Sequence, residues 1–289
     1  MISCMKRILV IGGTGRVGRQ VIAQLSGADA EVRTLVRNPQ TAQLPAHVEV
    51  VQGDLTLPET LSQCLDGVDT VFLVWTAPPA AVESALMRIT KRVSRIVFLS
   101  TPYKTEHPFF QQPNPLRKLH ERIERQIETS GCEWTVLRPG IFAANALRWW
   151  GQGIRAGHDV VRWPYADAPT APIDERDLAA VAVRALCEDG HAGAEYVLTG
   201  PYSLRQREQL ATIGEMLGRP LPMEEISPDE ARQELFGGKA PAVVNMLLDA
   251  WGAAIGQPAH VTSTVEAITG APARSFRDWV TDHAAEFRA

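Results

Sequence analysis

The sequence predicts an α/β fold: a doubly wound parallel sheet followed by a smaller, mostly helical C-terminal lobe. Three observations carry that expectation. A short apolar block, residues 8–11, runs directly into a glycine turn and then an amphipathic stretch. Strand-like and helix-like segments then alternate as far as Arg138, as a parallel sheet with crossover helices requires. From Pro139 onward the alternation stops and helical periodicity dominates. One domain is therefore expected over residues 1–138. The lobe takes 139–289, with some of its strands and helices completing the first domain.

Each element has a local reason. The first helix shows Val17, Val21, Ile22 and Leu25 at helical spacing and closes at Ser26-Gly27. Strands are expected over 31–36, 48–52, 70–74, 95–100 and 134–138, and helices over 57–65 and 82–92. Residues 101–115 hold four prolines and read as a loop. Asn114 as N-cap and Pro115 in the first turn then open a helix that runs to Ser130-Gly131. In the lobe, helices are expected over 176–186, 205–217, 228–236, 242–255 and 276–287, with short strands near Ile173 and over 196–198.

Composition narrows the partners. A net charge of −4 over 289 residues gives no electrostatic reason to expect nucleic acid or an anionic membrane. No apolar run approaches the roughly 20 residues that span a bilayer. The first strand begins so early that no signal peptide is expected, and a cytoplasmic location follows. Cys4, Cys64, Cys132 and Cys187 are too far apart to form a metal-ligand pair, and no metal is expected. Cys132 and Cys187 read as buried free thiols of a reducing compartment.

The glycine turn points to a dinucleotide. Gly12 sits where the chain reverses, Gly15 where backbone N–H groups approach a pyrophosphate, and Gly18 where helix meets strand. Thr14, Arg16 and Val17 share that turn, and the helix behind it offers unpaired donors and a positive dipole end. The second strand ends in Val36-Arg37-Asn38, without the acid that bonds a ribose 2′-OH. Arg37 suits a 2′-phosphate, so NADP(H) is expected over NAD(H); a solvated strand-end arginine is the alternative. Arg16 can assist from the other side of that phosphate. Asp54, beside Leu55, either accepts from the adenine amino group or caps the short helix that follows. Val74 and Thr76, at the end of the fourth strand, complete the candidate cofactor positions on this side.

With these residues in place the chain resembles the NmrA-like branch of the atypical short-chain dehydrogenases over nearly its whole length. The marks are Gly12 to Gly18, Val36-Arg37, Gly53-Asp54-Leu55, Leu99-Ser100-Thr101, and Trp134 to Gly140 with Phe142 and Asn145. Ile268-Thr269-Gly270 and the stretch from Phe276 to Trp279 are further marks. The resemblance implies a Rossmann-type domain with a small substrate lobe and NADP(H) as ligand. Similar members include quinone reductases and a triphenylmethane dye reductase; others are redox-sensing regulators that catalyse nothing.

The family's Tyr-x-x-x-Lys pair is missing. Leu116 and His120 occupy those positions, and Glu124 follows one turn later. His-x-x-x-Glu here resembles the dye and quinone reductases. Glu124 is placed to orient His120, which then bonds the nicotinamide ribose or supplies a proton; a surface His–Glu pair is the alternative. Ser100 and Thr101 end the fifth strand, where a hydroxyl either holds a substrate carbonyl or bonds backbone. Pro139 and Gly140 form a turn that brings backbone past the nicotinamide, with Phe142 beside it and Arg138 structural. Asp174 and Asp177 read as cap and first turn of a helix rather than as paired carboxylates.

Past Asn145, Trp149 and Trp150 either pack a core or line an aromatic substrate pocket. Tyr103, Phe109 and Phe110 form its opposite wall or a lid. The resulting expectation is an NADPH-dependent reductase of a flat conjugated acceptor such as a quinone, monomeric or homodimeric. A nucleotide-binding redox sensor and a secondary-metabolism reductase of a C=O, C=C or C=N bond are the rival readings.

Overall fold

A computed structural model describes residues 6–28, 30–238 and 240–288. In chain order the elements are β1 (Lys6–Ile11), α1 (Arg16–Leu25), β2 (Ala30–Val36), β3 (Glu49–Gln52), α2 (Leu61–Cys64), β4 (Thr70–Val74), α3 (Val82–Thr90), β5 (Arg95–Leu99), α4 (Arg117–Glu128) and β6 (Glu133–Pro139). There follow α5 (Gln152–Arg155), β7 (Val161–Pro164), β8 (Pro169–Thr170), α6 (Glu175–Cys187), β9 (Ala194–Leu198), β10 (Leu204–Arg205), α7 (Gln206–Leu217) and β11 (Met223–Ile226). The last are α8 (Pro228–Glu234), α9 (Pro241–Ala254), α10 (Thr264–Thr269) and α11 (Phe276–His283).

The chain divides into two compact units, neither continuous in sequence. The first comprises Met1–Thr101, Arg117–Pro139 and Glu175–Tyr196; the second comprises Pro102–Leu116, Gly140–Asp174 and Val197–Ala289. A single cut after residue 138 therefore does not describe the molecule. The proline-rich loop leaves the first unit, and α6 returns to it.

The first unit carries a seven-stranded sheet in the order β3-β2-β1-β4-β5-β6-β9, and its registered pairs are parallel. Strand order reverses between β1 and β4, the switch point beyond whose carboxyl ends such sheets bind ligands. The strands are apolar runs because both faces are covered: Ile8, Leu9, Val10 and Ile11 are all essentially inaccessible. Leu9, Ile11, Val71, Leu73, Ile96 and Phe98 share one core cluster with Leu86 and Ile89 of α3 and Ile123 and Ile127 of α4. Each such burial contributes about 1.5–3 kcal/mol.

The second unit holds two small ribbons that the sequence did not reveal, β11 beside β7 and β10 beside β8. At two to four residues each they are too short for alternation to show. The core of this unit is built on tryptophan. Trp149 meets Trp251 edge-on at 5.3 Å, and Trp150 meets Trp163 edge-on at 5.9 Å. Trp163 donates its indole N–H to Gln206 Oε1 at 2.8 Å. A π-helical turn, Leu147–Gly151, sets Trp149 and Trp150 into this cluster. Trp150 is 1% exposed, so it is core and not pocket lining, and Trp149 is partly buried against the same group.

Cys64 is buried, whereas Cys132 and Cys187 are half-buried rather than fully so; all three are free thiols. Cys4 lies outside the described residues. Among the described residues no helix is long and apolar enough to cross a membrane.

Candidate nucleotide cradle and acceptor pocket

The turn after β1 assigns a distinct job to each glycine. Gly12 has φ +90°, a left-handed conformation that disfavours side chains, and a Cβ there would lie 2.8 Å from Val74 Cβ. Val74 is therefore the floor of the turn. A Cβ on Gly18 would lie 2.2 Å from the Gly12 carbonyl oxygen, so only glycine lets α1 approach the strand end. Gly13, given no separate role from the sequence, is equally constrained: its Cβ would meet Thr34 Oγ1 at 2.2 Å.

Gly15 differs. Its Cβ would touch only the Gly12 carbonyl oxygen, at 3.3 Å. That approach is tight, but looser than those at Gly12, Gly13 and Gly18. Gly15 is also the N-cap of α1, without a side-chain cap and with no acidic residue in the first turn. The helix end thus presents backbone donors and a positive dipole to a space that a side chain would fill, which fits a pyrophosphate.

Around this turn Thr14 and Arg16 are exposed and Val17 is half-buried. Arg16 Nη1 stands 3.9 Å from Glu175 Oε1, an ion pair that a phosphate would have to compete with. Arg37 is exposed at the end of β2. Asp54 does not cap the next helical turn, whose N-cap is Leu57. Its Oδ1 instead accepts from both the N–H and the hydroxyl of Thr56, each at 2.8 Å. Those bonds, the backbone one foremost, hold the carboxyl below its ordinary pKa, and nearby Arg37 adds to the effect. Leu55 is buried and Thr76 is exposed.

The ends of β5 and β6 are joined by a buried charge network. Ser100 donates its hydroxyl proton to Glu124. Arg138 forks onto both Glu124 oxygens, at 2.9 and 2.8 Å, and donates through Nε to Glu195 at 2.7 Å and through Nη1 to the Thr101 carbonyl at 2.9 Å. Burial alone would lower the pKa of Arg138, but the bonds and charges of Glu124 and Glu195 overcome it and raise it.

One expectation changes here, and one gains a further partner. Glu124, expected to orient His120, is engaged at both oxygens by Ser100 and Arg138. A carboxylate 2% exposed requires a full counter-charge, and Arg138 supplies it. Ser100, itself buried, has its proton committed to Glu124, so its part is to position the strand end rather than to hold a substrate. His120 is half-buried and stacks on Phe98, with ring centroids 5.8 Å apart. Thr101 Oγ1 is buried and has no hydrogen-bond partner among the described residues. Glu195 was missed in sequence; an arginine inside an apolar strand was the available signal that carboxylates must converge on it.

In the second unit, Gly140 follows β6 directly and donates its N–H to the Leu198 carbonyl at 2.9 Å. Pro139 is buried, and Phe142 is half-buried and bridges to Ile173. Asp174 is buried against Arg274 at 2.8 Å and immediately precedes α6; Asp177 lies in the first turn of that helix. Tyr103 is 6% exposed and Asn145 half-buried, and neither lines the cleft of this unit.

That cleft is small and is lined by Phe109 and Phe110, by Gly140 and Ile141, and by two histidines given no role in the sequence reading, His107 and His260. Their rings face each other at 6.1 Å. His107 Nδ1 accepts from the Phe109 N–H at 3.2 Å, and its Nε2 lies 3.0 Å from the Pro258 carbonyl. In that pattern Nδ1 accepts and Nε2 faces a carbonyl acceptor. Burial lowers the pKa of His260, and His107 lowers it further. Nothing local flags either residue, because they meet only in the folded chain.

A parallel sheet of this order, with a glycine turn at its switch point, defines a dinucleotide-binding protein. A family model described as NAD(P)H-binding matches residues 12–189. The chain is 40% identical to the (4-alkanoyl-5-oxo-2,5-dihydrofuran-3-yl)methyl phosphate reductase of Streptomyces griseus, covering 97% of this chain and 99% of the relative. It is 35% identical to the NAD(P)H azoreductase of Xenophilus azovorans, covering 98% and 99%. An NADPH-dependent quinone oxidoreductase from Escherichia coli has a similar structure, with TM-score 0.79 at 25% identity and coverage of 95% and 98%. The triphenylmethane reductase of Citrobacter sp., solved with NADP(H), shares the fold at TM-score 0.78 and 19% identity, covering 96% and 99%. The chain belongs to the NAD(P)H-binding, NmrA-like group of atypical short-chain dehydrogenases, and its cofactor is a nicotinamide nucleotide.

Proposed function

We propose that the protein is an NADPH-dependent oxidoreductase that reduces small conjugated acceptors. The observation that carries the reading is the cradle at Gly15, the N-cap of α1 and the glycine of the turn that the protein's own packing constrains least. The preference for NADPH rests on Arg37, exposed where an NAD-binding strand would end in an acid. The acceptors named for the relatives, a furanone, an azo compound and a quinone, share conjugation that can spread the charge a hydride brings. Such acceptors require little acid catalysis, which makes the loss of the family tyrosine tolerable.

When bound, the nicotinamide supplies the hydride; the chain supplies binding and orientation. The turn from Gly12 to Gly18 holds the pyrophosphate, Arg37 the 2′-phosphate and Asp54 the adenine amino group. His120, stacked on Phe98, holds the nicotinamide ribose. Glu124 and Arg138 fix the strand end that presents Thr101, whose unpartnered hydroxyl is the candidate contact for cofactor or acceptor. Stopped-flow NADPH absorbance against a panel of quinones, azo compounds and acylated dihydrofuranones tests the reading. Rapid oxidation by at least one class is expected. Tight NADPH binding with no oxidation by any of them would favour the sensor reading.

A further inference from the structure

We propose that Glu175 is a brake on nucleotide affinity: it holds Arg16 of the glycine turn as a counter-charge, and a nucleotide phosphate gains that arginine only by taking it from Glu175. Glu175 has no part in the reduction itself. Its effect rests on the turn from Gly12 to Gly18 being the phosphate cradle.

Two helices of the first unit set the pair. α1 and α6 pack against each other, and Gln24, near the end of α1, donates its side-chain N–H to the Arg176 carbonyl at 2.9 Å. The start of α6 is thereby fixed against α1. Glu175 is the first residue of α6 and is buried. Arg16 is the first residue of α1, directly after the N-cap Gly15. The two side chains approach to 3.9 Å, the arginine 48% exposed and the glutamate 4%. That asymmetry decides which partner can move. A solvated guanidinium can turn toward a phosphate; a buried carboxylate stays where it is and requires positive charge nearby.

The other arginines of the cradle are held differently. Arg19 is committed to backbone, donating through Nε to the Thr14 carbonyl at 3.0 Å and through Nη1 to the Gln43 carbonyl at 2.6 Å. Arg37, exposed at the end of β2, makes no ion pair with a described residue. Arg37 is therefore the standing phosphate contact and Arg16 the contested one. The first turn of α1 has no acid of its own; the carboxylate at the cradle comes from α6. An anion at the α1 N-terminus is attracted by Arg16, while Glu175, buried and poorly screened, repels it and competes for the same guanidinium. Arg16 returns to Glu175 as the nucleotide leaves, so the pair acts chiefly on dissociation.

Calorimetric titration of NADP⁺, with stopped-flow dissociation, tests the brake on binding alone. Glu175→Gln should bind NADP⁺ about three- to tenfold more tightly, mainly through slower release. Glu175→Asp, which keeps the charge, should stay closer to wild type than Glu175→Gln does. Arg16→Ala should weaken NADP⁺ more in the Glu175→Gln background than in the wild type, because there Glu175 no longer competes for it. Two smaller probes locate the phosphate: a gain in Glu175→Gln for 2′,5′-ADP alone points to the 2′-phosphate, and a gain for ADP as well points to the pyrophosphate. Either upholds the brake. Equal or weaker NADP⁺ binding by folded Glu175→Gln would overturn it and leave the cradle intact; a wild type that binds no NADP⁺ would overturn the cradle too. If Glu175→Gln does not fold, Arg16→Ala alone decides. Its melting temperature without nucleotide should fall, since Glu175 loses a counter-charge, with a small loss of NADP⁺ affinity. An unchanged melting temperature with a loss of about tenfold or more would show that Arg16 serves the phosphate without competition, and would overturn the brake.

Discussion

Arg138 and Glu124 form a two-pronged ion pair, with N–O distances of 2.9 and 2.8 Å, in which each side chain is no more than 2% exposed. Ser100 and the Thr101 carbonyl hang from the same pair, so it ties the end of β5 to α4 and β6. Removing one partner strands a buried charge. Glu124→Ala should cost about 3–5 kcal/mol, toward the lower end because Glu195 remains beside Arg138. The double variant Glu124→Leu/Arg138→Met should recover much of that loss. Urea unfolding of the three proteins measures both; equal stabilities for wild type and Glu124→Ala would contradict the pairing.

Gly15 and Gly18 should separate binding from folding. Gly15→Val should reduce NADPH affinity by more than about a hundredfold, some 2.7 kcal/mol, and leave the far-ultraviolet circular dichroism unchanged. Gly18→Ala should destabilise the fold by about 1–3 kcal/mol or more, through its clash with the Gly12 carbonyl. Thermal melts with and without NADPH distinguish the two outcomes.

Arg37→Ala should weaken NADPH about ten- to a hundredfold, corresponding to about 1.5–3 kcal/mol for a charged phosphate contact, and leave NADH affinity unchanged. Calorimetric titration of both nucleotides measures it. Equal affinities of the wild type for NADPH and NADH would remove the basis for the assignment.

His120→Ala should lower kcat/KM about ten- to a hundredfold, as expected for one lost positioning contact. Tyr103→Phe should change it far less, because Tyr103 is buried and lies outside the cleft of its unit. The reverse ranking would make the loop tyrosine the displaced proton donor.

Trp150→Ala should destabilise the second unit by about 3–5 kcal/mol, the scale of a large aromatic deleted from a core. Surviving protein should keep the order of preference among acceptors, since Trp150 packs with Trp149 and Trp163. A changed acceptor order with unchanged stability would return Trp150 to the pocket.

What was legible in the sequence was local. Residues 8–18 announced strand, turn and helix because burial on both faces, a positive-φ glycine and 3.6-residue periodicity each leave a mark within a few positions. The succession of strands up to β6 followed from the same kind of signal, and so did the place of Asp177 in the first turn of α6. Tertiary structure alone decided the remainder. Arg138 chose Glu124 and Glu195, 14 and 57 residues away, because a buried guanidinium takes whichever carboxylates the folded chain brings within reach. His107 and His260 came to face each other, and the tryptophans to form one core, in the same way. The second unit's ribbons are so short that pairing, not propensity, defines them. Periodicity records which face of an element is buried. It does not record what that face meets, and the chemistry of this protein lies largely in those meetings.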